Sequence, residues 1–323
     1  MKNSFFAALA VSASMLCPAA AMADQYPDRA IHVIAPFAPG GGSDIAARQF
    51  GQFLTDQFKV DAIVENRPGA GGSVGARQVA KAASDGYTLL LGTMGNQIVN
   101  QYLLPDMNFD PAEDLVAVGW FSNVPNVLVV RSDSPFKTAE ELIAAAKDRP
   151  NGLIYGSGGM GTSTHLAVEL FGDMGGLKLT HVPYKGSAPA IVDLIGGRVD
   201  FLIDNLISSE TQIKSGRLRV LAVATKERLA AYPDVPAISE LPGFEGYQAV
   251  SWTGIFAPKG TPPDRIDILS KAMSSEHARQ DMSGKVAATG AQYVGEGAGR
   301  FNEFLVEERG RWVPIAKRLA ASN

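Results

Sequence analysis

The segment LIYGSGGMGTSTHLAVELF, from Leu153 to Phe171, gives the clearest indication of how this chain is organised. It contains a short apolar strand, a glycine-rich turn, a cluster of hydroxyl groups and an amphipathic helix, in that order. The first N–H groups of a helix have no partner within it and carry about half a positive charge, and glycines let a ligand approach the backbone closely. No lysine or arginine lies between Arg149 and Lys178. The segment therefore predicts an anion site made of backbone and hydroxyl groups.

A second segment, VIAPFAPGGGSDIAARQF from Val33 to Phe50, follows the same plan. Its strand enters a turn of one proline and three glycines, and Ser43 and Asp44 stand at the start of the helix that follows. Asp44 is interpreted first as the N-cap of this helix and second as a residue that shapes the site indirectly. Two such units from distant parts of one chain could face each other across a cleft, which is our central hypothesis.

Strands and helices alternate through the first hundred residues and again from Leu153 onward, which predicts parallel α/β sheets. A chain of 323 residues exceeds one ordinary core, so two domains are expected. The stretch from Gly92 to Asn100 is predicted to be a polar turn at the end of a strand. Asp204 also follows an apolar strand, so it is either an acceptor for a ligand group or bridging water, or a turn cap.

The N-terminus has the three parts of a secretory signal. Lys2 is basic, Phe5–Leu16 is an apolar run too short to span a membrane, and Ala21-Met22-Ala23 is a cleavage motif, so export with cleavage after Ala23 is predicted. The sequence has 29 basic and 33 acidic residues, a formal net charge of −4, and no basic run that indicates nucleic acid. No Cys or carboxylate stands at metal-ligand spacing from His32 or His181, so no metal and no cofactor are expected.

Two other motifs allow alternatives. Residues 156–161 fit the dinucleotide pattern GxGxxG, but the next strand ends in Tyr184-Lys185-Gly186 instead of the acid that would hold a ribose. Residues 71–75 fit GxSxG, so a serine hydrolase using Ser73, with Asp200 or Asp204 and then His277, is a competing hypothesis. The simpler interpretation of both motifs is a glycine turn before a helix.

Several isolated residues have a structural and a functional interpretation. His165 is expected to pack or cap at its helix start. Arg67 and Lys185 are ordinary loop charges that could also reach an anion. Phe37 and Trp252 could supply apolar walls, although an aromatic residue in a strand is usually part of a core.

The motifs together resemble those of the periplasmic receptors of tripartite tricarboxylate transporters, the Bug family. The matching segments are Tyr26–Arg29, Pro36–Asp44, Glu65–Gly72, Asp85–Leu89, Gly156–Leu166, Val182–Gly186, Gly197–Asp200, Leu221–Val223, Pro233–Pro236 and Phe256–Pro262. The resemblance implies a type II periplasmic-binding-protein fold, with two α/β lobes and a ligand cleft between them. After a signal peptide of residues 1–23, lobe 1 would comprise residues 24–126 plus 252–323, and lobe 2 residues 127–251.

The same resemblance implies a function. The protein would be a monomeric receptor, not an enzyme, that captures a small carboxylate (a di- or tricarboxylate, an acidic amino acid or an aromatic acid) and delivers it to membrane permease subunits. A sensor that reports to a signalling partner is an alternative that the sequence does not separate from a receptor. The Asn96-Gln97 position departs from the family's pattern. The expected ligand-binding residues are Phe37, Pro39, Gly40, Gly41, Gly42, Ser43, Asp44, Asn96, Ser157, Gly158, Gly159, Met160, Gly161, Thr162, Ser163, Tyr184 and Asp204.

Overall fold

The computed structural model describes residues 26–104, 107–149 and 152–322, and the predicted signal peptide with its cleavage site lies outside them. The first half of the fold contains β1 (Ile31–Ala35), α1 (Gly42–Phe58), β2 (Ala62–Asn66), α2 (Ser73–Ala80), β3 (Thr88–Thr93), α3 (Asn100–Leu103), α4 (Pro111–Asp114) and β4 (Leu115–Val124). The second half contains β5 (Asn126–Arg131), α5 (Ala139–Asp148), β6 (Leu153–Ser157), α6 (Ser163–Gly175), β7 (Leu179–Pro183), α7 (Ser187–Ile195), β8 (Leu202–Asn205), α8 (Leu206–Lys214) and β9 (Leu218–Val223). The chain then returns through β10 (Ser251–Pro258), α9 (Pro263–Ser274), α10 (Glu276–Ala287), β11 (Gln292–Gly297) and α11 (Ala298–Ser322).

The first lobe is built on a six-stranded sheet with the order β11-β4-β10-β3-β1-β2. Strand β1 pairs in parallel with β2 and β3, which confirms the parallel sheet predicted for the first hundred residues. The sheet as a whole is mixed, because the returning strand β10 lies antiparallel between β3 and β4, and β11 adds antiparallel to β4. The local sequence pattern cannot show this insertion, since it depends on contacts between distant segments.

The second lobe contains an antiparallel sheet of order β8-β5-β9 and a parallel pair β6-β7. A parallel bridge between Tyr155 and Phe201 joins the two. The chain enters this lobe between Val124 and Asn126 and leaves it before Ser251. The turns that follow β6 and β8 lie against the first lobe. A Cβ on Gly95 would lie 2.6 Å from the Gly161 carbonyl oxygen, and one on Gly42 would lie 3.0 Å from Asn205 Oδ1.

Apolar side chains cover both faces of the first sheet, as expected for strands that are buried on two sides. Phe50 and Phe121 belong to the cluster on one face, and Trp120, Phe301 and Trp312 belong to the cluster on the other. The stretch predicted as a polar turn belongs to this second cluster. Residues Gly95–Val99 form a π-helical turn that runs into α3, and Ile98 is fully buried. That prediction was wrong because its apolar side chains pack into the core and hold the segment helical.

Candidate functional site

A cavity lies between the two lobes and encloses about 510 Å³ of empty space, part of which is open to solvent. Both lobes and both crossing segments contribute to its wall. The lining residues are Phe37, Gly41, Gly42, Ser43, Thr93, Val124, Gly158, Thr162, Ser163, Thr164, Gly186, Ser187, Asn205, Ser251, Trp252 and Thr253.

Helix α1 presents its N-terminus to the cavity. Gly41 is its N-cap and supplies no side-chain cap, and the N–H groups of Ser43 and Asp44 donate no hydrogen bond within the described part of the chain. Asp44 is therefore not the N-cap, contrary to the prediction, because the helix begins two residues earlier. Its carboxylate accepts from the Gly40 N–H at 2.9 Å and from Asn66 Nδ2 at 2.9 Å, so it holds the glycine turn in shape.

Arg48 also contacts Asp44, with Nη2 at 3.0 Å from Oδ1. The pKa of Asp44 is lowered: burial acts to raise it, and the hydrogen bonds from Gly40, Arg48 and Asn66 outweigh that effect. The carboxylate therefore stays ionised with both oxygens occupied. This arrangement matches the second interpretation, a residue that shapes the site without lining it.

Helix α6 presents the second predicted N-terminus. Thr162 is its N-cap and accepts from the His165 N–H at 3.3 Å, and the Gly158 N–H donates to Thr164 Oγ1 at 2.9 Å. The N–H groups of Ser163 and Thr164 donate no hydrogen bond within the described residues. They stand beside the Ser163 hydroxyl at the cavity wall, which is the arrangement that an anion requires.

Two further helices begin at the cavity. The sequence predicts both, from Ala188 and from about Ser209, but it does not predict that they start at the ligand site. Gly186 and Ser187 start α7, and Asn205 precedes the first residue of α8. A signal was available, since Gly186 and Asn205 are residue types that favour helix starts and both follow predicted strands. Four helix N-termini therefore meet around one cavity, where sequence reasoning had placed two.

Asn205 lines the cavity, whereas Asp204 turns away from it. The Asp204 carboxylate is 2% exposed and accepts from Ser187 Oγ at 2.5 Å and from Ser209 Oγ at 3.2 Å. Burial raises its pKa to about 6, and the hydroxyl hydrogen bonds counteract only part of that rise. It supports the wall at Ser187 instead of accepting directly from a ligand or capping a turn.

The other predicted site residues are not part of the cavity lining. Asn96 is fully buried, and its Oδ1 accepts from the backbone N–H of the lining residue Thr93 at 3.1 Å. Tyr184 donates its hydroxyl to Asp193 at 2.8 Å. Ser157 contacts His181, with Oγ and Nε2 2.6 Å apart. Pro39, Gly40, Gly159, Met160 and Gly161 complete the set that is outside the lining.

His165 packs at its helix start, as expected. Its Nδ1 accepts from the Gly161 N–H at 3.2 Å, and its ring stacks on His181 with the centroids 4.2 Å apart. Burial lowers the pKa of His165 to about 3 and that of His181 to about 4. Both imidazoles are therefore neutral at pH 7 and brace the glycine turn without adding charge.

No lysine or arginine is among the described residues that line the cavity. Arg67 pairs with Glu65 at 2.7 Å, and the exposed Lys185 contributes its backbone carbonyl to the Ala38 N–H at 3.1 Å. An anion in this cavity would therefore be held by backbone N–H groups and hydroxyls. Phe37, Val124 and Trp252 form the apolar part of the wall, as proposed for the two aromatic residues.

Ser73 is 5% exposed. Its hydroxyl accepts from Asn100 Nδ2 at 2.9 Å and lies 3.6 Å from Met107 Sδ. None of these partners is a general base, which a nucleophilic serine needs. The neighbouring Gly71 instead approaches the other lobe so closely that a Cβ there would lie 2.3 Å from the Met160 carbonyl oxygen. The GxSxG turn is thus part of the contact between the lobes.

Within residues 26–104, 107–149 and 152–322, no helix has the length and apolar character needed to cross a membrane. No group of three or more His, Cys, Asp or Glu side chains is arranged to hold a metal ion there.

Two α/β lobes with a cleft lined by helix N-termini define a type II periplasmic solute-binding protein. The chain belongs to the family described as "Tripartite tricarboxylate transporter family receptor", which matches residues 46–321. It is 36% identical over 300 residues to "Protein BugT" of Bordetella pertussis, across 93% of this chain and 92% of that protein. The family comprises periplasmic binding proteins for transport and not enzymes, so the serine-hydrolase alternative is not supported.

Two solved structures share the fold closely. "R. palustris Rpa4515 with adipate" has a TM-score of 0.85 and 35% identity, over 90% of this chain and 97% of that one. "MatC (Rpa3494) from Rhodopseudomonas palustris with bound malate" has a TM-score of 0.80 and 29% identity, over 90% of this chain and 100% of that one. These similarities confirm the type II fold and the receptor family that the sequence motifs implied.

Proposed function

We propose that this receptor captures a small carboxylate in the cleft and delivers it to the membrane permease subunits of a tripartite transporter. The observation that carries the proposal is the meeting of four helix N-termini around a cavity lined by no lysine or arginine among the described residues. Each N-terminus favours negative charge by about 0.3–1 kcal/mol, and more where it is partly buried. A carboxylate matches such a site in charge and size.

The carboxylate is bound by both lobes. The free N–H groups of Ser43 and Asp44 donate hydrogen bonds to it from lobe 1, and those of Ser163 and Thr164 donate from lobe 2. Only the closed form offers both sets, so a ligand shifts the population toward closure. The permease then recognises the closed surface of a monomeric receptor, with residues 24–126 and 252–323 as one lobe and 127–251 as the other.

The rest of the wall narrows the ligand class. Phe37, Val124 and Trp252 can cover a short apolar body, and the hydroxyls of Thr93 and Thr253 can meet a second polar group. The two similar structures carry adipate and malate, which supports a ligand that combines carboxylates with a short aliphatic chain. The absence of a lining Arg or Lys from the described residues favours a small, partly hydrated ligand.

A thermal-shift screen of the mature protein tests the proposal. The panel contains adipate, malate, citrate, aspartate, glutamate, benzoate and acetate. A ligand at about 100 times its Kd stabilises the folded state by roughly 2.7 kcal/mol, which raises the Tm of a chain this size by a few degrees. The protein is first unfolded, dialysed and refolded to remove any bound solute. A refolded protein whose Tm responds to none of these acids contradicts the carboxylate assignment.

Ser163→Asp adds a negative charge at the cavity wall, so we expect it to abolish the shift by like-charge repulsion. Ser283→Asp, which makes the same change on an exposed face of α10, is the matched control and should keep the shift. Equal shifts in both variants would mean that the anion does not bind near Ser163.

A further inference from the structure

Four polar side chains form a hydrogen-bonded cluster where the chain crosses between the lobes. Asn126 is fully buried at the start of β5, and Ser251 is 5% exposed at the start of β10. Asn205 and Ser163 stand at the N-termini of α8 and α6. Ser251, Asn205 and Ser163 line the cavity, whereas Asn126 does not. The cluster therefore connects the ligand site to both crossing segments.

The orientation of the Asn126 amide follows from its partners. Its Nδ2 donates to the Ala249 carbonyl at 2.9 Å, so Oδ1 faces the cluster and can only accept. Asn205 Nδ2 donates to Asn126 Oδ1 at 2.5 Å and to Ser251 Oγ at 2.7 Å, which uses both of its hydrogens. These bonds leave the Ser251 hydroxyl as the variable member of the cluster.

Ser251 Oγ lies within hydrogen-bond distance of two acceptors, Asn126 Oδ1 at 3.0 Å and Ser163 Oγ at 2.6 Å. A serine hydroxyl has a single hydrogen, so it can donate to only one of them at a time. If Ser251 donates to Asn126, the Ser163 hydroxyl can donate to Ser251. If Ser251 donates to Ser163, the Ser163 hydrogen is free to point into the cavity.

We propose that Ser251 and Asn126 are positioning residues that turn the Ser163 hydroxyl into a donor for an ionised carboxylate. This inference rests on the proposed function of the cleft. With a carboxylate bound, the donors run in one direction, from Asn205 to Ser251, from Ser251 to Ser163 and from Ser163 to the ligand. In the empty cleft both serine hydroxyls reorient, so that Ser163 donates to Ser251 and Ser251 donates to Asn126.

Two physical effects favour the first arrangement when the ligand is an anion. A hydrogen bond to a charged acceptor is about twice as strong as one between neutral groups. A chain of donors aligned toward that acceptor strengthens each bond by an estimated 10–30%. A carboxamide does not gain the first effect, so the cluster selects an ionised acid over its amide. Asn126 also donates to the Ala249 carbonyl, so this change in hydrogen bonding involves both segments that cross between the lobes.

A double-mutant cycle tests this arrangement by calorimetric titration with adipate and malate, or with the acid of largest thermal shift if neither binds. We expect Ser163→Ala to weaken carboxylate binding about 10- to 100-fold, the usual effect of losing a hydrogen bond to a charged group. Ser251→Ala should weaken it about tenfold, because the Ser163 hydroxyl loses its fixed orientation. The double variant should bind like Ser163→Ala alone, since Ser251 acts through Ser163.

Ser134→Ala is the matched control. Ser134 is 2% exposed, and its hydroxyl accepts from the Phe136 N–H at 3.2 Å, outside both the cluster and the cavity lining. This variant should leave affinity within about twofold. The carboxamide analogue of the ligand supplies a second measurement, which a purely structural role of Ser251 would leave unchanged. Ser251→Ala should lower the preference for the acid over the amide, and Ser134→Ala should preserve it.

The outcomes separate the two proposals. A wild-type protein that binds no carboxylate overturns the proposed function and this inference together. A wild-type protein that binds, with Ser163→Ala and Ser251→Ala adding independently or with Ser251→Ala equal to wild type, overturns the donor arrangement alone. An unchanged preference for the acid over the amide in Ser251→Ala also overturns it.

Discussion

Asp204 is a buried carboxylate that one hydroxyl, that of Ser187, separates from the cavity. A bound carboxylate would place a second negative charge close to it in a poorly solvated region. With a pKa of about 6, Asp204 is ionised at pH 7.5 and largely protonated at pH 5. Ligand binding should therefore raise its pKa further and take up a proton, so affinity should increase as the pH falls through 6.

We expect the carboxylate Kd to be about 3- to 30-fold lower at pH 5.5 than at pH 7.5, as for two charges interacting at an intermediate dielectric constant. Calorimetry in buffers of different ionisation enthalpy measures the proton uptake directly. Asp204→Asn retains the shape, loses the charge and should flatten this dependence, so the difference between the two proteins removes the ligand's own titration. A wild-type Kd that tracks the Asp204→Asn Kd across this range would show that Asp204 does not sense the ligand.

Helix α1 starts at a glycine that is pressed against helix α8 of the other lobe. The Gly42 N–H donates to Ser208 Oγ at 2.7 Å, and a Cβ on Gly42 would lie 2.8 Å from Ile207 Cγ2 and 3.0 Å from Asn205 Oδ1. Its backbone is not left-handed, so alanine suits the helix and the conflict lies only in the contact between lobes. Gly42→Ala should therefore stay folded and resist closure.

The neighbouring glycine provides the comparison for this prediction. A Cβ on Gly41 would meet only ordinary contacts, at 3.7 Å from the Ala38 carbonyl oxygen and the Ser187 N. With ligand, small-angle scattering should show compaction of Gly41→Ala but not of Gly42→Ala. We also expect Gly42→Ala to lose about 10- to 100-fold in affinity, because an open receptor offers only one lobe. Equal compaction of the two variants would contradict a steric block at Gly42.

Elements that are determined by local sequence could be predicted. Arrangements that depend on contacts between distant segments could not. The strand, glycine turn and helix around Thr162 lie where the pattern places them, because strand propensity, glycine geometry and capping all act locally. The sequence also predicts helices from Ala188 and from about Ser209, which are α7 and α8, but their convergence on the same cavity depends on the tertiary fold. Asp204 and Asn205 show what the sequence could not predict. The two residues are adjacent in the chain, yet Asp204 is buried outside the cavity lining and Asn205 lines the cavity.

At the scale of the whole molecule, burial of neutral histidines makes folding sensitive to acid. His165 and His181 titrate near pH 6.5 when unfolded, but their folded pKa values are about 3 and about 4. Between pH 6.5 and 4 the unfolded chain therefore binds more protons, and the free energy of unfolding falls as the pH falls. Asp204 acts in the opposite direction, because its raised pKa means that the folded state binds the extra proton between about pH 6 and 3.8.

In this pH range two histidines favour proton binding by the unfolded chain, and one aspartate favours proton binding by the folded state. We therefore expect the free energy of unfolding to fall by on the order of 1 kcal/mol per pH unit between pH 6 and 4. Urea denaturation at half-unit steps measures this slope. His181→Gln removes one of the two groups and should reduce it, while Asp204→Asn removes the opposing group and should steepen it. His277→Gln, at an exposed position of α10, should leave it unchanged. A slope that is the same in all four proteins would mean that acid acts elsewhere, and the stacked imidazoles beneath the glycine turn would not control stability.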